Sequence, residues 1–463
     1  MRVTANPIPL FFIFTFVALF IVQMHPDLLI SSSGFVVFLI ITLQSFIFVL
    51  FSKGLLGQTY WVFSLLFFGI VPIIEINYGV KSYFGMPKLS DFDIFKAGVY
   101  IFFFNLVYAS FYALSFFKKS HNLLSYNKCG SPHQASLLSN VINQNLCFFV
   151  FFATGISCFV LVFDELGRNI LALFFRGGDF VTESQDWGPK KLIIERFIRP
   201  LPMICFLSFF LLYGLKRKIK ITLLFLIALI TAFPTSLPRF FAAALYIPIL
   251  FIIFPILRRG VNYFYFLTLS VLFIFPLLNS FRRFSTNEEF KLVSIGDLRF
   301  FVEGHFDSFQ TFAQVMTNNI ITYGNQLLIV LFFWVPRKYW PDKPLSSGVE
   351  IGQSLGAYFT NMSANIFAEG WLNFGFLGAF LFAICLGCIT KFFDCYFNPL
   401  MKISLNSLNL RDKFYVLSYF IMAPMLFITL RGDLVTGVSN ILGIFTAWFV
   451  VFLLSKMINK SRF

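Results

Sequence analysis

Long apolar runs separated by short polar connections organise the chain. A helix needs about 20 apolar residues to cross a bilayer. Twelve such runs can be placed, at roughly 8–24, 33–52, 59–76, 97–117, 146–164, 199–215, 219–236, 239–257, 262–280, 369–391, 413–430 and 435–455. Backbone in hydrocarbon must satisfy its own hydrogen bonds, and the runs are too long and too evenly apolar for barrel strands. The pattern therefore predicts an all-α integral membrane protein of about 12 transmembrane helices, forming one polytopic domain over residues 1–463. The first run, Ile8 to Val22, is not followed by a small-residue cleavage site, so it is expected to be a retained span rather than a signal peptide.

One polar stretch outlasts the others, 281–368, between the ninth and tenth spans. Inside it Asn325 to Val335 is apolar but only about eleven residues long, which suits a short helix on the membrane surface. Pro336, Pro341 and Pro344 then exclude a continuous helix. On the following span Gly370, Gly375 and Gly378 would let a neighbouring backbone approach closely.

Composition sharpens the membrane reading. Hydrophobic residues make up 58% and charged residues 12%, against about 25% charged in soluble domains. The 71 Phe are expected at lipid-facing and inter-helix positions. The seven Cys form no paired framework. Cys385 and Cys388 make a C-x-x-C inside an apolar run, without the soluble context a redox motif needs, and Cys147, Cys158 and Cys205 read as small packing residues.

The net charge of +15 is a topology signal. With the N-terminus cytoplasmic, the cytoplasmic segments hold 18 of the 36 Lys and Arg residues but only two of the 21 acids, Asp394 and Asp412. This is the positive-inside asymmetry, and it puts both termini in the cytoplasm. The cations are spread over separate turns and form no stripe, which excludes a nucleic-acid partner.

Candidate chemistry collects in the long loop and at helix ends on the same side. The middles of the twelve spans carry no Asp, Glu, Lys, Arg or His, which weighs against an ion-coupled carrier but leaves room for a flippase with a neutral polar cavity. No metal-binding spacing and no phosphate-cradling loop is present, so no cofactor or metal is expected. An enzyme of this kind would use a substrate that already carries its leaving group. A lipid-linked diphosphate sugar fits: spans for the lipid, and cations for the diphosphate at Arg239, Arg282, Arg283, Arg337, Lys338 and Arg431. Glycosyl transfer also needs a base for the acceptor hydroxyl. The candidates are Glu369, Asp307 and His305. Glu369 opens a span, where an acid also complements the helix dipole. Asp307 and His305 are two residues apart, sharing a face only if the segment is extended.

The run Val335-Pro336-Arg337-Lys338-x-Trp340-Pro341-x-Lys343-Pro344 and the run Glu369-Gly370-x-x-Asn373-Phe374-Gly375-x-x-Gly378, with the large loop that holds the first, resemble the bacterial O-antigen polymerases of the Wzy type. That family is similar in architecture to O-antigen ligases and peptidoglycan polymerases. The resemblance implies a GT-C-type bundle with a large periplasmic loop between spans 9 and 10, in the bacterial inner membrane, its active site facing the periplasm. It implies a metal-independent, inverting glycosyltransferase that moves a growing glycan from undecaprenyl diphosphate onto a lipid-linked repeat unit. Glu369 would be the base, with Asp307 and His305 in reserve, and the six cations would bind diphosphate and glycan. The lipid-linked oligosaccharide and the bilayer are the implied partners, with a chain-length regulator and a flippase beside them. A periplasmic histidine followed by a Gly-rich segment, as in the ligases, is absent, which favours polymerase over ligase. A lipid-linked oligosaccharide flippase or transporter is the alternative from another class.

Overall fold

A computed structural model describes residues 33–114, 144–175, 189–258, 260–274, 277–278, 298–401 and 403–460. Helices and no strands occur among the described residues. They are α1 (Ser33–Phe51), α2 (Leu55–Asn77), α3 (Asp91–Ala113), α4 (Gln144–Glu165), α5 (Leu201–Tyr213), α6 (Lys218–Thr231), α7 (Arg239–Ile253) and α8 (Val261–Ile274), then α9 (Ser308–Thr317), α10 (Asn325–Leu331), α11 (Ser347–Ser354), α12 (Ile366–Met401), α13 (Leu410–Arg431) and α14 (Leu434–Lys460), with single turns between some of them. Eight are long and apolar enough to cross a membrane: α1, α2, α3, α4, α6, α12, α13 and α14. This is a multi-pass helical membrane protein. Of the other expected spans, 8–24 lies outside the described residues, and 199–215, 239–257 and 262–280 fall on the shorter helices α5, α7 and α8.

Hydrogen bonds between helix termini define two ends of the bundle. At one end Asp394 of α12 accepts from the backbone of Leu56 and Gly57, which open α2, and from Tyr112 at the end of α3 and Tyr419 of α13. At the other, the loop end, the last residue of α13, Arg431, meets His305, and Glu369 meets the first residue of α14, Leu434. Between them the helices are joined by aromatic packing. Phe63, Phe67 and Phe427 are in contact, and Phe306 stacks on Phe67 with ring centroids 5.3 Å apart. Phe309 of α9 meets Phe38 of α1 edge-on at 4.8 Å. These rings draw the 298–317 segment into the bundle, so α9 is buried along most of its length rather than lying in solvent.

The tenth expected span is two helices, not one. Phe374 (φ −145°, ψ 27°) and Gly375 (φ 62°, ψ −148°) leave helical geometry inside α12. In a straight helix residues eight apart are separated by about 12 Å. Here a Cβ on Gly378 would sit 2.0 Å from the Gly370 carbonyl oxygen, and one on Gly370 would sit 2.6 Å from the Ala379 Cα. The chain has therefore turned back on itself: the neighbour that Gly370 and Gly378 admit is their own helix, while Gly375 faces Ile321. Only glycine takes the positive φ at 375 without strain. The carbonyls freed by the break are met from outside: Thr322 N–H donates to Leu372 O at 2.7 Å and Gly324 N–H to Asn373 O at 3.1 Å. Glu369 thus stands on a short arm ahead of the spanning part of α12.

Candidate functional site

The loop end gathers several of the residues singled out in the sequence. Arg431 closes α13, and its Nε and Nη2 donate to the His305 carbonyl at 3.0 and 2.6 Å. Its guanidinium lies over the Phe240 ring at 5.2 Å, a cation–π contact. Its Nη2 stands 3.8 Å from Asp307 Oδ1. Phe240 follows Arg239 at the start of α7, so that arginine belongs to the same rim. Arg431, His305 and Asp307 thus converge, although 126 positions separate the first two. The pairing runs through a backbone carbonyl, which no side-chain pattern announces.

Asp307 is 1% exposed. It precedes α9 without capping it by its side chain. Oδ2 accepts from the Ser363 backbone N–H at 3.1 Å, and among the described residues Oδ1 has no hydrogen-bond partner. Burial pushes this carboxyl above its ordinary 3.8, and the Arg431 charge and the Ser363 N–H pull it only part of the way back. The segment carrying Asp307 and His305 is a sequence of turns, neither helix nor strand. The His305 ring is mostly buried and faces Glu303 at 3.9 Å.

Glu369 is equally buried, and both of its oxygens are engaged. Oε1 accepts from the Leu434 backbone N–H at 2.7 Å and Oε2 from the Ser347 hydroxyl at 2.8 Å. Asp433 beside it accepts from the Thr436 N–H at 2.8 Å. Two carboxylates therefore sit at the N-terminus of α14, where unpaired N–H groups and the helix dipole favour negative charge. Glu369 stands in the first turn of its own helix, as expected of an acid that complements the dipole, and it also caps α14 through the Leu434 N–H.

The loop cations divide. Arg337 donates to the carbonyls of Lys343 at 2.6 Å and Pro344 at 3.2 Å, and Lys343 Nζ donates to Phe333 O at 2.7 Å and Val335 O at 2.9 Å. These bonds close the proline-rich segment on itself. Lys338 is exposed. Arg282 and Arg283 lie outside the described residues.

Several participants escaped the sequence reading. Glu75, buried in the last turn of α2, accepts from Tyr83 Oη at 2.8 Å, and its charge and that of Asp307 act on each other. Arg196, in the turns before α5, reaches Asn440 of α14 and feels Asp433, and burial holds its guanidinium below the usual value. Ser347, Ser363 and Asp433 are ordinary loop residues by type, and only their positions make them donors or caps. Among the described residues no cluster of three His, Cys, Asp or Glu is arranged to hold a metal ion. No family model, no characterised protein and no solved structure matches this chain.

Proposed function

We propose that this protein is a membrane-embedded glycosyltransferase of the O-antigen polymerase kind, acting at the loop end of the bundle on the periplasmic face. It would transfer a growing glycan from undecaprenyl diphosphate to a lipid-linked repeat unit. The observation that carries the reading is Asp307: a buried carboxylate with one oxygen that accepts no hydrogen bond among the described residues, paired at 3.8 Å with the Arg431 guanidinium. An acceptor hydroxyl placed against Oδ1 gives up its proton there. Its oxygen bonds the anomeric carbon as the bond from that carbon to the diphosphate breaks, and the bonding pair leaves on the diphosphate. Arg239, Arg431 and the two arginines outside the described residues supply positive charge for that leaving group.

Geometry reorders the three base candidates. Asp307 comes first. Glu369 serves α14 with both oxygens, and His305 gives its carbonyl to Arg431, which fixes the turn that carries Asp307. Arg431 is on this account a positioning residue as much as a binding one.

A carrier is the second reading, favoured by the buried acids Glu75, Asp307 and Glu369, since ionisable groups sunk in a helical bundle often mark ion or proton paths. Purified protein given lipid-linked repeat units in detergent separates the two. Polymer formed with no membrane gradient supports the enzyme. Protein that binds the substrate and yields no polymer supports the carrier. Product ending on a lipid A core would make it a ligase.

A further inference from the structure

The segment 78–90 between α2 and α3 carries none of the proposed base or cation residues, yet it is wedged against the turn that holds Asp307. Phe84 has φ +55°, a region that bulky side chains occupy only when the surroundings hold them there. Its ring presses on the turn that precedes Asp307. A Cβ on Gly304 would lie 2.2 Å from Phe84 Cζ and 2.7 Å from Cε1, closer than any real side chain tolerates. The wedge is fixed from behind. Tyr358 N–H donates to the Phe84 carbonyl at 3.0 Å, and the Phe84 ring contacts Phe359 at 4.8 Å and Tyr358 at 6.1 Å between centroids. The preceding residue, Tyr83, has its ring 5.9 Å from that of Phe84 and donates to Glu75. Gln314 and Gln310 of α9 donate to the carbonyls of Pro87 and Val80, so the same segment also grips the helix that Asp307 opens.

We infer that Phe84 and Gly304 form a positioning lock, in which a strained aromatic residue presses on a glycine to set the 303–307 turn and hence the unpartnered oxygen of Asp307. Strain of this kind persists only where the surrounding structure over-determines it. The lock works with Arg431: one holds the turn at Gly304, the other at the His305 carbonyl. The ring touches no reacting atom, so its role is to place the group that does. This inference rests on the proposed reading for the chemistry and on geometry alone for the contact.

The test is a double-variant rescue on the purified full chain, read by two assays. Gly304→Ala puts a methyl into the Phe84 ring, and Phe84→Ala removes the ring. Polymer formation from lipid-linked repeat units should fall roughly 100-fold in Gly304→Ala, in kcat rather than KM, as a misplacement of about 1 Å does elsewhere. It should fall only a few-fold in Phe84→Ala, and the double variant should return to the level of Phe84→Ala. The thermal midpoint in detergent should show the same rescue, with a smaller loss. Full activity in Gly304→Ala, a double variant no better than Gly304→Ala, or an activity loss that merely tracks the midpoint would each overturn the lock. If the wild type makes no polymer, the functional reading fails, and the midpoint rescue still decides whether the contact exists.

Discussion

Two buried aspartates at opposite ends of the bundle are treated in opposite ways. Asp394 accepts four hydrogen bonds: Leu56 N–H and Tyr419 Oη on one oxygen at 3.1 and 2.5 Å, Gly57 N–H and Tyr112 Oη on the other at 2.9 and 2.7 Å. Four elements meet there, and there is no space for anything else: a Cβ on Gly54 would overlap its carboxyl carbon at 1.9 Å. Among the described residues Asp307 accepts from Ser363 on Oδ2 and has no hydrogen-bond donor on Oδ1, which lies within 3.8 Å of a guanidinium. A saturated buried carboxylate is a joint. An unsaturated one is costly to keep in a dry interior and holds its proton acceptor ready. Residue type and burial are the same in the two places, so only the bonding separates structure from chemistry.

The largest effect should come from breaking the joint. Asp394→Ala leaves two backbone N–H groups and two phenols without acceptors. At about 1–3 kcal/mol for each buried group, the fold should lose more than about 3 kcal/mol. The check is the yield of monodisperse protein and its thermal midpoint in detergent. A midpoint within a few degrees of wild type would show that the knot is dispensable. Next comes the turn-back in α12. Gly378→Ala drives a methyl into the Gly370 carbonyl and should cost about 1–3 kcal/mol as overpacking, again read as a midpoint. A neutral result would mean that the arm carrying Glu369 can move off without consequence.

Glu369→Gln is smaller and discriminates more. As a cap of α14 the amide still offers an oxygen to Leu434 N–H, so about 1 kcal/mol should be lost and most activity kept. As a base it would be inactive at full stability. The smallest effect is pH-dependent. The Asp307 carboxyl is raised by burial. Its contribution to stability is therefore complete below the ordinary carboxylate value of 3.8 and is lost as pH rises through its higher value in the fold. Thermal midpoints of wild type and Asp307→Asn across that window should diverge as pH rises, with the wild type losing ground. Parallel curves would remove the shift.

The membrane class was written in the sequence because a run such as that of α14 has few physical alternatives. Length and apolarity alone fix it as a helix. The turn-back at Gly375 was not legible, since a glycine in an apolar run is compatible with a straight helix, and only the contact between Gly370 and Gly378 decides. Asp394 reads as a polar connection residue because two cations and an aromatic-rich stretch surround it in sequence; three of its four donors come from helices 282 or more positions away and the fourth from the next helix. At the loop end the residue types were visible: Arg431, Asp307, His305 and Glu369 were all singled out. Which of them meet, and through which atoms, was not, because Arg431 binds a carbonyl and Glu369 binds an N–H, and every residue has both. Glu75 was overlooked because it lies in the last turn of an apolar run, where an acid reads as a span boundary.

The account turns on the idle oxygen of Asp307. Its most direct test is polymer formation by purified wild type and Asp307→Asn side by side, on lipid-linked repeat units in detergent, once Asp307→Asn is shown to have a thermal midpoint no lower than that of the wild type. The wild type should give a ladder of long products, and Asp307→Asn should be slower by at least about 100-fold, the range of a lost general base. A ladder from Asp307→Asn as long and as fast as that of the wild type would contradict the central claim.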